Sequence, residues 1–366
     1  SAIGQRMHLK LEARATPSAA MAYASPLIAA ALTLVTGFVV FSLMGKDPLA
    51  AFYTFFVAPI RSVNGVAELL LKAAPLVLIA IGLAVGFRAN VWNIGAEGQL
   101  TIGAIAAGGA ALQFQGSEGA WVLPAMITLG ALGGMLWAAI PAVLRTRFNA
   151  NEILVSLMLT YVAQLLLAYL VHGPWRDPQG FNFPQSKLFH DAALFPVLIE
   201  GTRLNASIFL ALAAVLAGWV FMARSFVGYQ MRVSGLAEAA ARYAGFSAKR
   251  TIWIGMLAGG AAAGLAGVGE VAGPLGQLLP TVSPGYGFAA IIVAFVGRLN
   301  ALGILLAGLL MSLLYLGGES AQINMGLPAA ITGLFQGMLL FFLLGADVFI
   351  GYRLRVGRGA LLRTSA

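Results

Sequence analysis

Ten separate runs of mostly apolar residues occupy this chain, and that recurrence limits what it can fold into more than any other feature. In lipid every backbone N–H and C=O must be satisfied within the chain, so a spanning segment is a helix or part of a closed barrel. A helix needs about 20 apolar residues to cross the hydrocarbon core. Windows of that kind fall at 25–44, 66–86, 94–114, 121–144, 153–171, 204–223, 252–272, 285–296, 301–316 and 327–344. The eighth is short, and the second is interrupted by Lys72 and Pro75. The amphipathic stretch 48–60 is too short to span and suits the membrane surface. The expected fold is therefore all-α, a polytopic membrane protein of about ten transmembrane helices. Ten spans divide into five plus five, which would place the halves in opposite orientations, as inverted repeats do in many transporters.

Charge sets the orientation. With the N-terminus inside, Arg6, Lys10, Arg14, Arg88, Arg145, Arg147, Arg224, Arg232, Arg242, Lys249, Arg250, Arg298, Arg353, Arg355, Arg358 and Arg363 lie in cytoplasmic segments. Those are 16 of 22 basic residues; the other six (Lys46, Arg61, Lys72, Arg176, Lys187, Arg203) fall outside or near the outer face. This is the asymmetry of the positive-inside rule, and one missed helix would invert every later loop. Both termini are expected in the cytoplasm, with 25–44 a retained first helix rather than a cleaved signal. The expected divisions are a cytoplasmic segment 1–24, a membrane domain 25–344 and a basic cytoplasmic tail 345–366. The membrane domain carries an outer loop 173–203 and a cytoplasmic loop 224–250.

Only 10% of residues are charged, against roughly 25% in soluble domains. The 45 glycines suit membrane helices, whose backbones approach where side chains are small. The net charge of +9 follows from loop asymmetry rather than from a nucleic-acid surface, which would need a soluble basic face. Cysteine is absent, so disulfides and thiol catalysis are excluded. His8, His172 and His190 are scattered without ligand spacing, so neither a metal nor a cofactor is expected. No GxxxxGK[ST], HExxH or GxSxG occurs. The chain is expected not to be an enzyme.

Four segments stand out from the apolar background. The run from Phe87 to Gln99 holds Asn90, Trp92, Asn93, Glu97 and Gln99 between two spans. Non-helical backbone at membrane depth is tolerated where it packs in protein or lines a water-filled cavity, and an intramembrane carboxylate suggests function. An ordinary turn reads equally well. In the loop 224–250, the run Glu238-Ala239-Ala240-Ala241-Arg242-Tyr243-Ala244 predicts a short helix ended by Gly245. Such a helix suits docking to another protein, or merely joins two spans. The outer loop, with Trp175, Arg176, Asp177, Phe181 and Phe183, is a partner contact or plug, or a packed Ω-type loop. The stretch from Glu270 to Phe288 carries helix-breaking prolines and glycines near the outer face, as a gate, a binding wall or simple loop geometry.

Together these blocks resemble the permease subunits of bacterial ABC importers of the branched-chain amino acid, ribose and nucleoside class. The likeness is strongest to permeases that work with basic-membrane-protein-type lipoproteins and import purine nucleosides. It is carried by Lys72-Ala73-Ala74-Pro75, by Trp92-Asn93-Ile94-Gly95-Ala96-Glu97-Gly98-Gln99, and by Asn151-Glu152-Ile153-Leu154 opening the fifth span. Ala239–Gly245, Tyr286-Gly287-Phe288 and Arg298-Leu299-Asn300 complete it. The resemblance implies a subunit of the bacterial inner membrane, paired with a second homologous permease. Cytoplasmic ATP-binding subunits would drive the pair, and an extracytoplasmic substrate-binding lipoprotein would supply it. Glu238, Ala239, Ala240, Arg242, Tyr243 and Gly245 would couple the permease to the ATPase. Asn90, Trp92, Asn93, Glu97, Gln99, Asn151, Glu152 and Phe288 would lie on the substrate pathway. Amides and a carboxylate suit sugar hydroxyls, and Trp92 or Phe288 could stack on a base. A permease for a simple sugar or riboflavin, or an ion-coupled secondary transporter, is the alternative.

Overall fold

The structure is a computed structural model that describes residues 7–358; Arg6 and Arg363 lie outside the described residues. It is all-α apart from two short strands. In chain order the elements are β1 (Met7–Ala13), α1 (Ala19–Leu43), α2 (Pro48–Phe52), α3 (Val63–Arg88), α4 (Ala96–Gln113), α5 (Val122–Phe148) and α6 (Glu152–His172). There follow α7 (Ile208–Arg224), α8 (Phe226–Leu236), α9 (Glu238–Tyr243), α10 (Ala248–Glu270), α11 (Tyr286–Val296), α12 (Ala301–Met325), α13 (Ala330–Gly351) and β2 (Tyr352–Arg358).

A helix stands at each of the ten apolar windows, but among the described residues only seven are long and apolar enough to cross a membrane: α1, α3, α5, α6, α10, α12 and α13. The pair α7 and α8, bent by 72° at Ser225, counts as an eighth if the two helices form one broken span. The window 285–296 corresponds to α11, which has 11 residues. At 1.5 Å per residue that is about 16 Å, half of a core about 30 Å thick. The termini also differ from expectation. Helix α1 begins at Ala19, inside the expected segment 1–24, where Ser18 Oγ accepts from Met21 N at 3.3 Å. Helix α13 runs to Gly351, past the boundary at 344, and β2 pairs antiparallel with β1 from Tyr352 onward. Apolar windows mark the lipid-compatible stretch of a helix; caps and hydrogen bonding decide where it ends.

Two compact units divide the chain. Among the described residues, those up to 53 and from 327 onward form one, and 54–326 the other. In the first, α1 and α13 pack through Phe41 and Phe335, with ring centroids 5.6 Å apart, and Ser25 hydrogen-bonds to Asp347. In the second, α3 is the axis: 83% of its most apolar window is buried, against 22% for α6, which turns most of its surface outward. A helix apolar all round is expected to be enclosed. Pro75 lies inside α3 without ending it, as proline can in a membrane helix. Helix α10 packs against α3, α4 and α5 through small residues. A Cβ on Gly134 of α5 would strike the carbonyl oxygen of Gly260, and one on Gly103 of α4 the backbone of Gly264. Three helices thus meet backbone to backbone, the packing that the glycine content predicts.

Candidate functional site

Helix α3 ends at Arg88, whose guanidinium donates to the Leu299 carbonyl from Nε at 2.8 Å and Nη2 at 2.6 Å. Asn90 then turns the chain with φ +58°, a conformation asparagine adopts more readily than most residues. Its Oδ1 accepts from Trp92 Nε1 at 2.8 Å, and Trp92 stacks on Phe295 with centroids 5.8 Å apart. Residues 91–95 are not helical. Asn93 and Gln99 are buried and exchange two amide hydrogen bonds, of 2.8 Å and 2.9 Å. Asn93 Oδ1 also accepts from Gly95 N at 3.0 Å, and Ser156 of α6 receives Ile94 N at 3.2 Å. These contacts hold a broken segment before α4.

A second broken segment precedes α11. Helix α10 gives way to a π-turn at Val271–Leu275, Gly276 reverses the chain, and no helix resumes until Tyr286. Glu97, in the first turn of α4, joins the two segments. Its Oε2 accepts from Gly287 N at 2.7 Å and Ser283 Oγ at 3.2 Å. Ser283 Oγ in turn accepts from Tyr286 N at 2.9 Å and Gly285 N at 3.2 Å. Serine and carboxylate therefore satisfy three N–H groups at the start of α11, where an anion also complements the helix dipole. The approach needs glycine, because a Cβ on Gly287 would overlap the Glu97 backbone.

Ser283 also lines a cavity of about 280 Å³, together with Leu71, Lys72, Arg203, Glu270 and Tyr286. That is near the lower end of the roughly 300–1,000 Å³ typical of small-molecule sites. Lys72 Nζ meets Glu319 Oε1 at 2.8 Å. Arg203 clasps Glu68 with two bonds, of 2.8 Å and 2.6 Å, and that carboxylate raises the Arg203 pKa above its ordinary value. Glu270, at the end of α10, lies within electrostatic reach of both cations but forms no ion pair or hydrogen bond among the described residues. Tyr286 packs edge-on against Tyr315 at 5.4 Å. The cavity thus offers cations, a free carboxylate, a hydroxyl and an aromatic face in one small volume.

The expected site residues separate into three places. Glu97 stands behind the cavity wall, with Asn93 and Gln99 buried nearby. Asn151 caps α6 through Oδ1, accepting from Ile153 N at 2.9 Å, while Glu152 pairs with Arg145 and accepts from Trp92 N at 3.4 Å. Phe288 is partly exposed and lies outside the cavity lining. The third place is α9, where Arg242 pairs with Glu238 at 2.9 Å and Ala239 and Ala240 are exposed. Gly245, at φ +82°, ends α9: Phe246 N donates to Ala241 O at 2.9 Å and Gly245 N to Arg242 O at 3.0 Å. This double closure is the Schellman motif. Tyr243 is 96% exposed and Leu236 88%.

The cavity's ionic set is not evident from the sequence when its members are read singly. Glu68 and Lys72 stand four apart on α3, which puts them on one face, and that spacing was the available signal. Their partners Arg203 and Glu319 are too distant in sequence for any local pattern to show.

Many apolar helices around two interrupted segments and a polar cavity define a polytopic membrane permease. The chain belongs to the family described as branched-chain amino acid transport system / permease component, which it matches over residues 65–344. It is 37% identical over 360 residues to the glucose ABC transporter permease protein TsgB13 of Haloferax volcanii, covering 96% of this chain and 94% of that protein. It is 30% identical over 346 residues to the guanosine ABC transporter permease protein NupP of Bacillus subtilis, covering 93% and 97%. The nucleoside ABC transporter permease protein NupB of Lactococcus lactis is 28% identical over 87% of this chain and 89% of its own length. No solved structure matches the chain.

Proposed function

We propose that this chain imports a neutral, hydroxylated solute, in the first reading a purine nucleoside, as one half of a permease pair driven by separate ATP-binding subunits. The observation that carries the ATP-driven reading is α9, a capped two-turn helix with Tyr243 and Leu236 projecting from its region. A short rigid element of that kind suits docking to a motor, through Glu238, Ala239, Ala240, Arg242, Tyr243 and Gly245. Hydrolysis of ATP takes place on the partner, and a binding lipoprotein delivers the solute.

Ten crossings result when α4 and α11, each with its extended lead-in, are added to the seven long helices and the bent pair, in the inner membrane with both termini cytoplasmic. The interrupted crossings are then the third of each set of five, which supports an inverted repeat. Access alternates as the two interrupted segments shift about the Glu97 junction. Glu270 and Ser283 contact solute hydroxyls, and Tyr286 presents a ring to a base or a sugar face. Asn90, Trp92, Asn93, Gln99, Asn151, Glu152 and Phe288 shape the route farther in. The 37% identity to a glucose permease favours a hexose as the second reading.

Uptake of labelled guanosine and glucose into vesicles holding the assembled transporter tests this. ATP-dependent guanosine uptake that excess unlabelled glucose leaves unchanged is expected. Transport by this chain alone without ATP would overturn the importer reading, and uptake of glucose alone would move the substrate to the second.

A further inference from the structure

A second cavity, of about 170 Å³, lies between α3, α7, α8 and the turn before α12. One part of its wall is apolar, with Ile81, Met222 and Ile304; another carries Arg88 and Arg232. Trp219 lines it as well, with the Arg224 guanidinium 5.6 Å from the ring centroid. None of these three arginines forms an ion pair with a carboxylate among the described residues. Arg88 is half-buried and gives two donors to the Leu299 carbonyl, which brings no negative charge. Two cations thus share one small cavity without a counter-ion among the described residues.

We propose that this cavity holds the headgroup phosphate of an anionic phospholipid. Arginine donates in a fork that matches phosphate oxygens, and basic pockets between membrane helices bind anionic headgroups. The apolar wall distinguishes a lipid from a free anion, because it gives the acyl chains a surface beside the charge. Tryptophan at such a position suits the headgroup level of the bilayer. In the orientation proposed above, on which this inference rests for its leaflet, the cavity opens at the cytoplasmic end. Arg232 belongs to α8, the helix that leads into α9. A phosphate between Arg88 and Arg232 removes their mutual repulsion and fixes α8 against α3.

Native mass spectrometry of the full chain, extracted from bilayers of equal phosphatidylglycerol and phosphatidylcholine, tests the site. The wild type should retain phosphatidylglycerol in preference to phosphatidylcholine. Arg232→Gln should retain roughly fivefold less, as expected for one cation near the headgroups. Arg147→Gln, a change of charge at a different exposed arginine, should retain as much as the wild type. Equal thermal stability of all three in phosphatidylcholine alone shows that folding is intact, since Arg232 has no ion-pair partner among the described residues to lose. Unchanged retention in Arg232→Gln, equal loss in Arg147→Gln, or displacement by millimolar inorganic phosphate would each overturn the proposal.

Discussion

Glu97 is the residue through which two broken segments meet, and its chemistry makes it hard to replace. Its carboxylate accepts a backbone N–H and a serine hydroxyl at the start of α11. Alanine there leaves a buried donor unsatisfied, at a cost of about 1–3 kcal/mol. Glu97→Ala should reach the membrane normally yet transport roughly tenfold less or worse, with Glu97→Gln intermediate because its carbonyl still accepts. Wild-type uptake by the alanine variant, at matched membrane abundance, would reduce the junction to an ordinary turn. Glu270 differs in having no hydrogen-bond or ion-pair partner among the described residues. Glu270→Gln should raise the KM for uptake roughly tenfold with assembly unchanged, the scale of one lost hydrogen bond to a charged group. Glu319 is half exposed but pairs with a Lys72 side chain only 13% exposed, so Glu319→Gln should cost about 1–3 kcal/mol in unfolding measurements, the scale of a weakened bond to a buried charge. The prominence of Asn93, Glu97 and Gln99 was legible in the sequence because polar side chains are rare there. Their partners were not, since Glu97 reaches Ser283 across 186 positions.

Among the elements, α9 and α10 show how local sequence and packing divide the work of specifying structure. The alanine-rich run and its glycine placed the start of α9 at Glu238 and its end within one residue, because six residues and a Schellman closure depend on near neighbours only. Valine at Gly245 must adopt φ near +82°, at a cost of about 1–2 kcal/mol, or else release the cap. Gly245→Val should therefore uncouple ATP hydrolysis from transport in the assembled complex while the chain still inserts. Solute-stimulated hydrolysis at the wild-type level would show that α9 is only a connector. Helix α10 obeys a different constraint. Its glycines meet the backbones of α4 and α5, so Gly264→Leu should destabilise the bundle by about 1–3 kcal/mol, read as a lower unfolding midpoint in detergent. The window at 285–296 shows where hydropathy fails: α11 is apolar along its length but too short to cross alone. The glycines and prolines before it marked the break, and the window placed the helix, but neither revealed that the helix starts against Glu97.

At the scale of the molecule, the number of crossings decides which face every later loop occupies. With the seven long helices and the bent pair each taken as a crossing, the topology turns on α4 and α11. If α11 and its lead-in cross, Gln277 and Leu302 lie on opposite faces; if the segment re-enters and returns, they share one, and α12 and α13 invert. The absence of cysteine makes this directly measurable, since a single introduced thiol is the only target for a maleimide. Gln277→Cys should label in intact cells with an impermeant reagent, as should Ser117→Cys in the α4–α5 turn. Leu302→Cys and Ala239→Cys should label only after the membrane is opened. Leu302→Cys labelling from outside would leave an even charge asymmetry unexplained and remove the ten-crossing arrangement, because Arg298, Arg353 and Arg355 would then lie on the outer face. The charge split favours the first outcome: moving basic loops across the membrane runs against the positive-inside rule. The Arg88–Leu299 hydrogen bonds favour it too, since they tie the turn before α12 to the same end of the bundle as α8, whose Gly235 lies against the Arg88 backbone.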